Sequence, residues 1–152
     1  IFIGSIAFIF ILVGRLLTDL LASINAFIGL IVIFTTPWMI IMMIGFFVRR
    51  GWYSPEDVQV FNKGKTGGIY WFNAGFNWRG LLAWIPSAIL GLMFCYYPPL
   101  LIGPWSGAVG GIDISLPVSI VSAAVLYVLF LSIWPEPKSA YGPKGSRLVR
   151  TK

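Results

Sequence analysis

The side chains that most often carry acid, base, nucleophile or metal chemistry are scarce in this chain. There are five acids, Asp19, Glu56, Asp57, Asp113 and Glu136, one cysteine, Cys95, and no histidine. General acid–base catalysis needs such groups to converge on one reacting atom. All five acids stand outside the long apolar stretches, and no two are spaced to form a carboxylate pair within one. Cys95 sits in an apolar run with no histidine partner, which suits a small packing residue rather than a nucleophile. No Cys/His set has metal-ligand spacing. Gly64-Lys65-Thr66 has the ending of a phosphate-binding loop, but Gln59 occupies the position of the required earlier glycine, so the segment reads as a plain loop. No catalytic residue, metal site or cofactor is expected.

The other candidates are polar residues inside the apolar runs: Ser23, Asn25, Thr35, Thr36, Ser87, Ser119, Ser122 and Ser132. Hydroxyls in membrane helices commonly bond the preceding turn or a neighbouring helix. Asn25 is costlier to bury unpaired and so points to an interhelical or pathway role. Met39, Met42 and Met43 lie at helical spacing and read as packing.

The elements that would hold these residues are set by composition. Hydrophobic residues make up 58% of the 152 and charged residues 11%, less than half the ~25% charge of a soluble domain. The mean hydropathy of +0.87 agrees. Four apolar runs stand out: residues 1–14, 21–48, 80–103 and 115–134. A helix needs roughly 20 apolar residues to cross a bilayer. The last three qualify, and the first is long enough only if further residues precede Ile1. Lipid offers no hydrogen bonds to the backbone, so these runs are expected to be helices. Period-two alternation, the mark of a membrane barrel, is absent. Thr36-Pro37 should kink the second run, since proline removes a backbone donor.

Charge fixes the orientation. Ten of the eleven basic residues lie in the 49–79 loop or after Trp134, which four crossings place on one side. The positive-inside rule makes that side cytoplasmic. The net charge of +6 is therefore read as a topology signal and not as a nucleic-acid surface. Ser54-Pro55-Glu56-Asp57 is a helix-start signal, predicting a short helix over Pro55–Phe61. Trp71, Trp78 and Arg79 precede the third run and read as an interfacial anchor. The tail, residues 135–152, is rich in Pro, Gly and basic residues and is expected to be disordered near anionic headgroups.

Two blocks of residues carry a resemblance. Phe34-Thr35-Thr36-Pro37-Trp38 followed by Phe46-Phe47-Val48-Arg49-Arg50-Gly51-Trp52-Tyr53 resembles the tenth helix and its exit in the nucleobase–cation symporter family. Tyr70-Trp71 with Gly75-Phe76-Asn77-Trp78-Arg79-Gly80-Leu81-Leu82-Ala83-Trp84 resembles that family's approach to the eleventh helix. The likeness is nearest to the purine–cytosine permeases. In one place the chain departs: family members often carry an acid a few positions before the paired arginines, where this chain reads Met43-Ile44-Gly45.

The resemblance implies an all-α integral membrane protein. The four runs would be part of helix nine and helices ten to twelve of a LeuT-like, twelve-helix transporter with inverted repeats. It implies cation-coupled uptake of a nucleobase or related heterocycle by alternating access, in the plasma membrane (the inner membrane, for a bacterium). Loop 49–79 and the C-terminus would be cytoplasmic. The substrate and the coupling ion, Na⁺ or H⁺, would be held by helices outside this sequence, so no substrate or ion ligand is carried over. The partners would be those N-terminal helices, the lipid bilayer and a nucleobase-like molecule. Asn25, Phe27 and Ile28 match the outer half of helix ten and are the candidate extracellular gate. A small structural subunit of a membrane complex is the competing class, and a membrane-embedded enzyme the third.

Overall fold

The apolar run that follows Asp19 has no breaker before Pro37, and it forms helix α1, Leu20–Val48. The structure is a computed structural model and describes residues 4, 5, 8, 9, 12, 19–60, 62–73 and 75–142. Most of the first predicted run, and the tail beyond residue 142, lie outside the described residues. Helix α1 starts where the Asp19 carboxylate accepts the Leu21 backbone N–H at 3.3 Å, an N-terminal cap. It ends in a Schellman turn. The Gly51 N–H bonds the Phe46 carbonyl and the Arg50 N–H bonds that of Phe47, each at 3.0 Å. Arg50 takes the left-handed conformation there, at φ 52°, a position glycine usually fills.

With 29 residues α1 is about 44 Å long at 1.5 Å per residue, more than the ~30 Å hydrocarbon core. Its buried positions are Ser23, Ala26, Gly29, Ile33, Pro37, Ile41 and Gly45, three or four residues apart, and Arg49 just past its end continues the row. They form a single stripe. Much of the remaining surface is exposed and apolar, including Phe34, Trp38, Met39, Met42, Met43, Phe46 and Phe47. The three methionines are thus among the exposed residues of α1.

Helix α2 is a single turn, Pro55–Val58, shorter than the predicted Pro55–Phe61. Ser54 caps it by accepting the Asp57 N–H at 3.4 Å. Gln59 already leaves helical geometry, at φ −89° and ψ 4°, ahead of the glycine-rich turn.

Helix α3, Trp78–Met93, is capped by the Asn77 side-chain oxygen, which accepts the Gly80 N–H at 3.4 Å. Its 16 residues extend about 24 Å. The predicted span continued to Gly103, and here the structure differs. After Met93 the chain turns into a two-residue antiparallel ladder, β1 (Tyr96–Tyr97) against β2 (Leu101–Ile102). The residues are apolar throughout, so hydropathy alone reads one span. Pro98 and Pro99 lack the donors a helix requires, and the adjacent tyrosines favour extended backbone. Gly103 lets the returning strand touch α3's end, because a Cβ there would strike the carbonyls of Leu92 and Met93.

Helix α4, Ser115–Ile133, spans 19 residues and about 29 Å. Its buried positions, Ser115, Ser119, Ala123, Tyr127 and Leu131, recur every four residues. Of the described helices, α1 and α4 are long and apolar enough to cross a membrane. The described residues are therefore mostly helical, with two candidate spans where the sequence reading has four.

The residues group into two compact units, 1–37 with 86–122 and 38–85 with 123–152. The boundaries fall within α1 after Pro37, within α3 before Pro86 and within α4 after Ser122. In the first unit small residues allow close approach. A Cβ on Gly91 would meet the Ser119 hydroxyl and lie 3.0 Å from Ile33, and one on Gly29 would enter the Tyr97 ring. In the second unit Ile41, Ala83, Tyr127 and Leu131 form a buried cluster, flanked by Ile44, Val48, Trp84, Leu126 and Phe130.

Candidate functional site

Among the residues that the sequence singles out, Asn25 and Ile28 are exposed on α1 and Phe27 is half-buried. Positions 25 and 28 share a face at i, i+3 spacing, while 27 is turned away from it. Thr36 is half-buried and Pro37 fully buried. The helix runs through Pro37 without interruption. The carbonyl that Pro37 leaves without its usual partner is that of Ile33, four residues back. The neighbouring Thr35 hydroxyl donates instead to the Ile31 carbonyl at 2.7 Å. Ser122 and Ser132 make the same back-bond to Val118 and Val128, at 2.6 and 2.8 Å, as hydroxyls in apolar helices tend to do.

The three aromatic-belt residues separate. Trp78 is exposed and lies 5.9 Å from Phe76, ring centre to ring centre, and Trp71 is half-buried. Arg79 turns inward and is buried. Its Nε donates to the Trp134 carbonyl, and its Nη2 donates to the Pro135 carbonyl at 3.2 Å. The guanidinium also lies over the Trp134 ring at 4.4 Å. A cation is well placed there because α4 ends at Ile133, and a helix C-terminus offers unpaired carbonyls and a negative dipole end.

A further polar cluster joins residues far apart in the sequence. Just past the C-terminal end of α1, Arg49 Nη2 meets Glu136 Oε2 at 2.7 Å, with the two side chains 9% and 1% exposed. Arg49 Nη1 donates to the Tyr53 hydroxyl at 3.2 Å. The guanidinium lies 5.3 Å from the Tyr53 ring and 5.5 Å from that of Tyr70. Burial works to lower the Arg49 pKa, but the Glu136 charge and the hydrogen bonds that Arg49 donates to Glu136 and Tyr53 hold it above its ordinary value. Gly45 makes room one turn earlier, since a Cβ there would sit 3.3 Å from Nη1. Thus the stretch that lacks an acid on α1 draws its acid from a distant segment.

That segment is the start of the tail, and it is packed rather than disordered as far as residue 142. A 3-10 turn over Lys138–Tyr141 buries Ala140 and Tyr141. Gly142, at φ +65°, lies so close to the Trp52 indole that no side chain fits. Composition misreads this stretch because its proline and glycine content resembles that of a linker, whereas single residues anchor it. One signal was present: Glu136 is the only acid among the residues after Trp134.

The same unit contains a cavity of about 260 Å³, lined in part by Trp38, Met42, Arg49, Asn77, Trp84 and Tyr127. Among the described residues no three of His, Cys, Asp or Glu come together as metal ligands. Cys95 is buried, with its thiol directed at the Leu92 carbonyl 3.1 Å away. The described geometry is that of apolar helices joined by small residues and tied at their ends by arginines.

A family model described as permease for cytosine/purines, uracil, thiamine, allantoin matches residues 1–119. No curated protein and no solved structure matches. The matched residues include both blocks in which the sequence resembles the nucleobase–cation symporters, and α1 and α4 are apolar enough to cross a bilayer. The chain belongs to the family of membrane permeases for cytosine and purines, uracil, thiamine and allantoin.

Proposed function

We propose that this sequence forms part of helix nine and helices ten to twelve of a cation-coupled secondary transporter that takes up a nucleobase or related heterocycle by alternating access. The family match over residues 1–119 carries the reading. The apolar surfaces of α1 and α4 suit contact with lipid and with the remaining helices of such a transporter. The substrate and the coupling ion, Na⁺ or H⁺, are held by those remaining helices. The outer half of α1, with Asn25, Phe27 and Ile28, closes over the bound base and bends at Thr36-Pro37. The basic loop and tail face the cytoplasm of a cell whose plasma membrane holds the protein. The short helix α3 crosses with help from the β1–β2 hairpin and local thinning of the bilayer.

The test is uptake of labelled cytosine, adenine, hypoxanthine, uracil, thiamine and allantoin by cells expressing the full transporter, with and without a sodium gradient. Saturable uptake of one of these, abolished by collapsing the ion gradient, is expected. Absence of uptake across the whole panel, with the protein present in the membrane, contradicts the reading. Residues 1–152 alone in liposomes are expected to move no base.

A further inference from the structure

We infer that Arg49 and Glu136 form a buried clasp that makes the segment after α4 a positioning element for the inner half of α1 during transport. This rests on the transport reading above. The two ends of the clasp are 87 residues apart in sequence, and Glu136 lies beyond the residues that the family model matches.

Several contacts converge on the same arrangement. The ion pair is short and almost fully withdrawn from solvent. Such a pair adds little net stability over an apolar equivalent, yet removing one partner strands a buried charge. Its effect is therefore to exclude other placements of the two segments. Tyr53 and Tyr70 hold the guanidinium from the side, and Gly45 leaves the space it occupies. The segment is fastened at two further points. Arg79 grips the carbonyls of Trp134 and Pro135 just before Glu136, and Gly142 lies against Trp52 just after it. The inner half of α1, from Trp38 onward, belongs to the same compact unit as this segment, whereas α1 up to Pro37 belongs to the other. The clasp fixes the inner half, so bending of α1 is confined to the part before Trp38. Loss of the clasp lets the whole helix shift and lowers turnover without altering the distant substrate site.

The experiment uses the full transporter carrying Glu136→Ala, Glu136→Gln, Arg49→Ala or the exchanged pair Arg49→Glu/Glu136→Arg. Two readouts are taken. The first is base uptake, normalised to protein in the membrane. The second is the rate of trypsin cleavage after Lys138 in the purified protein, which reports release of the segment and does not depend on transport. Both alanine variants should accelerate cleavage by at least about tenfold, since a broken buried pair favours the open form and cleavage follows its population. Their maximal uptake rate should fall by about the same factor, with KM within about twofold of the unsubstituted protein. Glu136→Gln, which keeps the shape and one acceptor, should lie between. The exchanged pair should recover most of both losses.

Unchanged cleavage and unchanged uptake in Glu136→Ala and Glu136→Gln overturn the clasp. A fall in uptake that appears only as a raised KM, or accelerated cleavage with full turnover, overturns its positioning role. If the unsubstituted protein takes up no base, the transport reading fails and the positioning role with it. The cleavage rates then still decide whether the buried pair holds the segment.

Discussion

Removing the Arg79 side chain should weaken the protein by an amount that its contacts allow to be worked out. Arg79 is 5% exposed and donates to two carbonyls at the end of α4. A hydrogen bond from a charged group contributes about 1.5–3 kcal/mol, and stacking of the cation on Trp134 adds about 0.5–2 kcal/mol. Truncation returns about 2 kcal/mol of side-chain freedom, and Trp134 is 42% exposed, so water replaces part of the bonding. The net loss for Arg79→Ala is about 3 kcal/mol. At about 2–4 °C per kcal/mol for a chain of this size, the melting temperature in detergent should fall by roughly 6–12 °C. Arg79→Lys keeps the charge but loses the fork that reaches two carbonyls, and should recover about half of the loss. Tryptophan fluorescence on heating measures both variants. A change within about 1 °C for Arg79→Ala, or full recovery with lysine, would refute the claim that this arginine secures the end of α4.

Two glycine substitutions should move stability in opposite directions. Gly91→Ala forces a Cβ against the Ser119 hydroxyl and Ile33, which should cost about 1–3 kcal/mol by overpacking. Gly80→Ala meets Ile41 at 3.7 Å and Asn77 at 3.8 Å, ordinary contacts, and should gain about 0.5–1 kcal/mol from helix propensity. Melting temperatures of the two variants check both signs. Replacing Ser54 with Ala removes the cap on α2 and should cost about 1 kcal/mol locally, seen as faster amide hydrogen exchange at Asp57 and Val58 with no change in global melting.

The apolar helices were legible in the sequence because their cause is local. The run after Asp19 appears in the structure as Leu20–Val48, and the run from Ser115 as Ser115–Ile133. The Ser54 cap was equally local and is present. Where hydropathy and backbone chemistry disagree, the reading fails. Residues 80–103 are apolar throughout, but the prolines at 98 and 99 divide them between a helix and a hairpin. The contacts of Arg79 with the carbonyls after α4 were not legible, because an arginine beside tryptophans suits either a headgroup or a helix end. The Arg49–Glu136 pair depends on two segments meeting across 87 residues, which no periodicity or motif encodes. The packing of residues 135–142 follows from that meeting and could not be read from a composition resembling that of a linker.

The most direct test of membrane threading, on which the permease reading depends, is cysteine labelling in intact cells. In a background with Cys95→Ser, single cysteines replace Lys65 in the basic loop and Gly107 in the connection before α4, both exposed positions. A membrane-impermeant maleimide should label Gly107→Cys from outside and reach Lys65→Cys only after the cells are opened. Labelling of Lys65→Cys in sealed cells, or equal labelling of the two, would contradict an account in which apolar helices cross the bilayer and cationic connectors remain in the cytoplasm.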